Sequence, residues 1–218
     1  PYVLDSLQLA DNVMDINRFK IIYNLDYSGM PELIEKVFSE KLPRHQAEAL
    51  VMLADDEENR DCILSHLKNK NKLIRAGAYK ALAKMNKKED HQLLLDILLS
   101  EKDTANTEEL VEVISGIDSM DIFPDIFDYI QKQYEVFTSS DSWKNNAELT
   151  NKLSKSLLLL KNKEDSRSFQ LFLQLFQYIS DESQDFSGMR GNVDSTVSIA
   201  SSINACMATY NDVDSIYD

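Results

Sequence analysis

Leu64-Ser-His-Leu67-Lys-Asn-Lys-Asn-Lys72-Leu-Ile74-Arg75-Ala-Gly-Ala78-Tyr-Lys-Ala81-Leu82 decides the fold. An apolar stripe at helical spacing (Leu64, Leu67) ends in a polar turn of alternating Lys and Asn. A second stripe follows, Ile74, Ala78, Ala81 and Leu82, again at the 3.6-residue period. After another polar turn comes Leu93-Leu-Leu-Asp-Ile97-Leu98. Two amphipathic helices joined by a short turn cannot bury both faces alone, so such a unit needs neighbours.

Neighbours are visible when the chain is slid along itself. Ala78, Ala81 and Leu82 fall on Leu110, Val113 and Ile114 at a shift of 32 residues, a solenoid-type period. Leu153 to Asp165 echoes Ala78 to Asp90, with Leu157 over Leu82 and Lys161-Asn-Lys-Glu-Asp165 over Asn86-Lys-Lys-Glu-Asp90. Ala47, Leu50 and Leu53 take a similar phase earlier. The pattern predicts helices over 5–24, 31–41, 44–54, 57–69, 72–86, 89–101, 106–118, 122–136, 144–162, 165–181 and 192–211. No β-branched run alternates long enough for a strand. Pro31 and Pro124 suit first helical turns, where a missing N–H costs nothing, and Pro43 separates two apolar segments. Asn106 with Glu109 reads as a capping box, and Asp165 and Asn192 as caps of the late helices. Ala76, Ala78, Ala81 and Ala83, and the small residues from Val197 to Ala208, let inner helices approach closely.

These residues carry a family resemblance. Leu64-x-x-Leu67, the Lys-Asn turn, Ile74-Arg75 and Ala78-x-x-Ala81-Leu82 resemble a HEAT repeat, with weaker units near 44–69, 89–118 and 144–181. The resemblance implies an all-α fold, an α-α superhelix of stacked antiparallel helix pairs of the HEAT/armadillo type, and a non-catalytic protein-interaction scaffold. The expected organisation is a single solenoid over 1–218, with possible loop insertions at 137–146 and 182–192. Two other readings stand beside the scaffold. One is an architectural segment of a larger repeat protein. The other is a HEAT-like enzyme such as an alkylpurine-DNA glycosylase or a bilin lyase, the former disfavoured by one Trp and an acidic balance.

Composition narrows the partner. The formal net charge of −14 over 218 residues argues against nucleic acid, whose binders carry basic patches. Gly188-Met-Arg-Gly191 superficially matches a backbone-clamping GxxG loop, but Asp181, Glu182, Asp185 and Asp194 around it would repel phosphate. No apolar run reaches the ~18 residues of a membrane span. Two cysteines far apart, Cys62 and Cys206, predict a reducing, cytoplasmic setting. Cys62 and His66 share a helix face, half of a metal site, and His91 is the one further His nearby; zinc needs more ligands, so no metal and no cofactor is expected.

Charge is uneven along the chain. Lysines and Arg75 crowd 68–88, and then Asp103, Glu108, Glu109, Glu112, Asp118, Asp121, Asp125 and Asp128 follow with no basic residue until Lys132. An acidic strip on stacked helices would attract a basic protein or peptide. Glu108, Glu109 and Glu112, with the aromatics Tyr134, Phe137 and Trp143 near the first long loop, are the expected partner-binding residues; Tyr129 belongs to the same aromatic cluster, whose other reading is a buried set sealing that loop against the stack.

Overall fold

The computed structural model describes residues 13–25, 28–40, 42–101, 104–139, 147–183 and 192–209. Among these residues the chain is all-α, a succession of HEAT-like helix pairs with no strand. The helices are α1 (Val13–Asn24), α2 (Met30–Ser39), α3 (Pro43–Leu53), α4 (Arg60–Ser65), α5 (Lys72–Met85), α6 (Lys88–Ser100), α7 (Thr104–Ser115), α8 (Phe123–Thr138), α9 (Ala147–Leu157), α10 (Ser166–Ser183) and α11 (Asn192–Met207). A 3₁₀ turn at Glu57–Asn59 leads into α4, and another at Leu158–Leu160 extends α9.

Local chemistry sets the boundaries. Pro31, Pro43 and Pro124 all sit in first helical turns, so Pro43 opens α3 as well as breaking the chain before it. Asn71 caps α5 by accepting from the Leu73 N–H at 3.0 Å, and Asp165 caps α10 by accepting from the Arg167 N–H at 2.9 Å. Asn86 ends α5 in the left-handed region at φ 54°, and Asn162 adopts φ 59° after α9. Asn106 is a correction: α7 begins at Thr104, so Asn106 lies inside the first turn, buried, and donates to Glu101 Oε2 at 3.1 Å. Its neighbours are as polar as a cap's, which is why the sequence misplaces the start by two residues.

One buried triad at i, i+3, i+4 recurs on α3, α5, α7, α9 and α11. It is Gln46-Ala49-Leu50, Ala78-Ala81-Leu82, Leu110-Val113-Ile114, Leu153-Ser156-Leu157 and Ile199-Ser202-Ile203. The phase on α3 is thus set by Gln46, Ala49 and Leu50, one residue off the expected Ala47, Leu50 and Leu53.

The chain divides into two compact units, Pro1–Leu94 and Leu95–Asp218, and the division falls inside α6. In the first unit α1 and α2 pack on α3 around Phe19, Met30, Leu33, Val37, Ala49 and Met52. α3 and α5 lie against each other at Ala47 and Gly77. A Cβ added to Gly77 would sit 2.5 Å from Ala47 Cα and 2.6 Å from Ala47 O, so the two backbones touch with no room for a methyl group. The close approach expected of the alanines is therefore made by the glycine among them. Ion pairs tie the same unit together. Arg60 meets the fully buried Asp90 at 2.6 Å, Lys87 meets Glu57 at 3.1 Å and Lys84 meets Asp55 at 2.7 Å. Two cations of the lysine-rich stretch, Lys84 and Lys87, thus pair with acids one repeat earlier.

In the second unit α9 packs against α7, α8 and α11, and α10 packs on α11. Ser154 of α9 bonds Ser198 O at 3.0 Å and Ser202 Oγ at 2.7 Å, so the small-residue helix α11 packs tightly on α9 through hydroxyls as well as methyls.

Gly77→Ala should cost about 1–3 kcal/mol, because α3 and α5 must separate to admit the methyl group. Gly116→Ala, where the nearest contact is 3.4 Å, should change stability by less than about 1 kcal/mol. Urea unfolding of the two variants side by side checks this; equal effects would mean that the α3–α5 contact tolerates expansion.

Candidate functional site

The second unit carries a groove along α7. Residues 108, 111, 112 and 115 share one face of that helix by their spacing, and Glu108, Val111, Glu112 and Ser115 all line it. Opposite stand Asn151, Lys152, Lys155 and Ser156 of α9, then Leu158 of the following 3₁₀ turn and Lys161. Leu98 and Leu99 at the end of α6 and Tyr129 of α8 line one end, and Ala205 of α11 the other. The groove has two chambers of about 640 and 400 Å³, and Glu108, Val111 and Lys155 border both. The Glu108 carboxylate and the Lys155 ammonium form an ion pair from one wall to the other. Both side chains remain about half exposed, so water screens the pair and it is weak.

A buried lysine, two residues past the groove-lining Lys161, ties the end of α7 to the segment after α9. Lys163 is fully buried, and its ammonium donates to the carbonyls of Ile117 at 3.0 Å and of Ile114 and Lys161 at 3.4 Å. Asn162 Nδ2 donates to Ser115 O at 3.4 Å beside it. The last carbonyls of α7 have no partner within the helix and carry its partial negative charge, which is where a cation is welcome. Burial pushes the Lys163 pKa down from 10.5 to about 8, with the Asp118 charge working the other way. Burial likewise pushes the Cys206 thiol up to about 12, and its Sγ donates to Leu157 O at 3.1 Å. Both groups therefore fasten helix ends, Lys163 that of α7 and Cys206 that of α9.

The expected partner-binding residues separate. Glu108 and Glu112 face the groove. Glu109 points elsewhere, with Oε1 buried. Tyr134 is half-buried on α8 and does not line the groove. Phe137 is a correction: it is 1 % exposed and packs edge-on against Tyr178 at 5.9 Å, inside the core rather than at a partner surface. α8 also runs through Thr138, so the expected first insertion does not begin at 137. Trp143, most of both expected loop insertions (140–146 and 184–191) and the glycines at 188 and 191 lie outside the described residues. Lys152, Lys155 and Lys161 were not expected at a site. Their signal, an i, i+3 pair of lysines on α9, is common on any solvated helix.

Elsewhere, Cys62 is exposed, and His66 Nδ1 lies 2.9 Å from the Cys62 backbone carbonyl oxygen and 3.1 Å from Ser65 Oγ. Among the described residues no group of three or more His, Cys, Asp and Glu side chains is arranged to hold a metal, and no helix is long and apolar enough to cross a membrane.

Residues 30–131 match the family model for HEAT repeats. No curated protein and no solved structure matches the chain.

The buried lysine gives a pH signature. Folded Lys163 releases its proton near pH 8 and unfolded lysine near 10.5, so the unfolded state holds more protons between those values. Stability from this group should therefore rise with pH across that window, by at most about 3 kcal/mol. Cys206 acts oppositely between its ordinary value of 9.0 and about 12. The stability difference between the wild type and Lys163→Met, measured by urea unfolding from pH 7.5 to 10.5, isolates the lysine. It should move in favour of the wild type as pH rises. A flat difference would mean that the carbonyls hold the ammonium at its ordinary pKa.

Proposed function

We propose that the chain, whose residues 30–131 match the family model for HEAT repeats, is a non-catalytic interaction scaffold whose α7–α9 groove receives a segment of a partner protein. Repeats of this family commonly mediate protein interactions. The observation that carries the reading is the groove itself, more than 600 Å³ in its larger chamber, with apolar side chains between two rows of charged ones. Its size is that of a specific binding site. Its chemistry suits docking better than turnover. Acid–base catalysis uses carboxylates held away from water with separated pKa values, and Glu108 is half exposed and neutralised by Lys155.

The groove-facing acidic residues of α7 form one wall of the groove only. Glu108 and Glu112 supply the attraction for a basic partner surface, and Val111 and Tyr129 supply apolar contact.

The test is affinity capture with the full chain as bait, at low and high salt, beside the Glu108→Lys/Glu112→Lys double variant. Both positions are exposed, so the variant should fold with a stability loss within about 1 kcal/mol. A stoichiometric partner that is retained at low salt, and reduced at least tenfold by high salt and by the double variant, is the expected result. A partner retained equally by the folded variant would remove the groove from the reading.

A further inference from the structure

The groove is two-signed. Its α7 wall presents Glu108 and Glu112, and the facing wall presents Lys152, Lys155 and Lys161. Glu148, one turn before Lys152, marks the end of the basic wall. Leu98, Val111, Tyr129, Leu158 and Ala205 supply apolar lining along the length. From Thr107 to Ser115 the groove follows eight helical steps, about 12 Å at 1.5 Å per residue. That length matches three anchors of a docked helix at i, i+4 and i+7, which span about 10.5 Å.

We propose that the groove takes one amphipathic helix of a partner protein, with an apolar seam, basic residues on one flank and acidic residues on the other, and that the opposed walls fix the direction in which this helix lies. The proposal rests on the scaffold reading and adds the chemistry of the occupant. Turning such a helix end for end, seam still down, exchanges its flanks. Its acids then face Glu108 and Glu112, and its bases face the three lysines. Like charges brought together in a partly desolvated groove reject that orientation. The correct orientation costs little to reach. It opens the screened Glu108–Lys155 pair and replaces it with one partner for each side chain.

Fluorescence anisotropy of three dye-labelled helical peptides on the full chain tests this. They share one leucine seam and differ in their flanks: lysine on one and glutamate on the other, lysine on both, or glutamate on both. The mixed peptide should bind at least about tenfold tighter than either alternative and weaken with salt. Glu108→Lys/Glu112→Lys should shift the preference to the all-glutamate peptide. Lys152→Glu/Lys155→Glu should shift it toward the all-lysine one. Both pairs lie at solvent-accessible positions, and circular dichroism establishes that each variant is folded before it is titrated. An all-lysine peptide bound by the wild type as tightly as the mixed one would overturn the two-signed groove. Binding of none of the three would overturn a helical occupant. If capture nevertheless returns a partner that the folded Glu108→Lys/Glu112→Lys variant loses, the scaffold reading stands and only the occupant proposed here falls. If capture also fails, both fall.

Discussion

Short helices leave many ends, and each end leaves up to four carbonyls without a partner in its own helix. This chain answers those carbonyls with side chains from neighbouring elements. Gln46 Nε2 donates to Val37 O and Phe38 O at the close of α2. Tyr23 and Lys84 donate to Met52 O and Val51 O at the close of α3. Arg75 donates to Asn69 O and Lys70 O and so fastens the turn ahead of α5. Lys163 serves Ile114 O of α7, Tyr178 OH serves Thr138 O at the end of α8, and Cys206 serves Leu157 O of α9. A donor that reaches a helix end from elsewhere also fixes how the two elements stack. Satisfying the backbone and setting the position of one repeat on the next are thus one act, because an orphaned buried carbonyl would cost about as much as a lost hydrogen bond.

That constraint explains where the structure is closed and where it is open. Between α3 and α5 the contact residues are Ala47 and Gly77, and the helices meet backbone to backbone. Between α7 and α9 the corresponding surfaces carry Glu108, Glu112, Lys152 and Lys155. Side chains of that length cannot be buried without their partners and water, so they stand along the rims and a groove remains between them. Lys163 and Asn162 hold the end of α7 from residues that directly follow α9. The groove is therefore a gap between two helices that are tied at the end of α7 by hydrogen bonds, with its charges left in water.

The helices were legible because their periodicity is a property of each segment alone. The buried triads of α5, α7 and α9 were already aligned by the 32-residue shift and by the Leu153–Asp165 echo. What escaped depends on contacts between segments. Gly77 sits among four alanines and looks like the least of them until α3 is brought against it. Lys163 lies in the run Lys161-Asn-Lys163-Glu, which reads as solvated, and it is buried by carbonyls 46 and 49 residues earlier in the chain. The echo of Lys161 to Asp165 over Asn86 to Asp90 was also one residue out. The left-handed asparagines 86 and 162 are the true equivalents, and each is followed by a lysine that reaches back to the preceding repeat: Lys87 to Glu57, and Lys163 to α7. For the candidate groove, the acidic wall lies within a run of carboxylates visible in the sequence. The basic wall was not legible, because its three lysines are spread over ten residues of sequence and meet the glutamates only across the groove.

The two scales of charge act at different distances. A net charge of −14 creates a field that draws basic surfaces toward the chain over roughly a Debye length, without regard to their shape. Inside the groove that field is locally overridden, because ammonium and carboxylate rows face each other within the reach of a single ion pair. An all-basic segment steered there would meet Lys152, Lys155 and Lys161 and bind only through the α7 wall. A segment carrying both signs in the right order would lose some long-range attraction and gain contacts with both walls. For the occupant proposed above, encounter and retention would be governed by different features of the same sequence: the overall acidity would set how fast a basic surface arrives, and the opposed walls which segment stays.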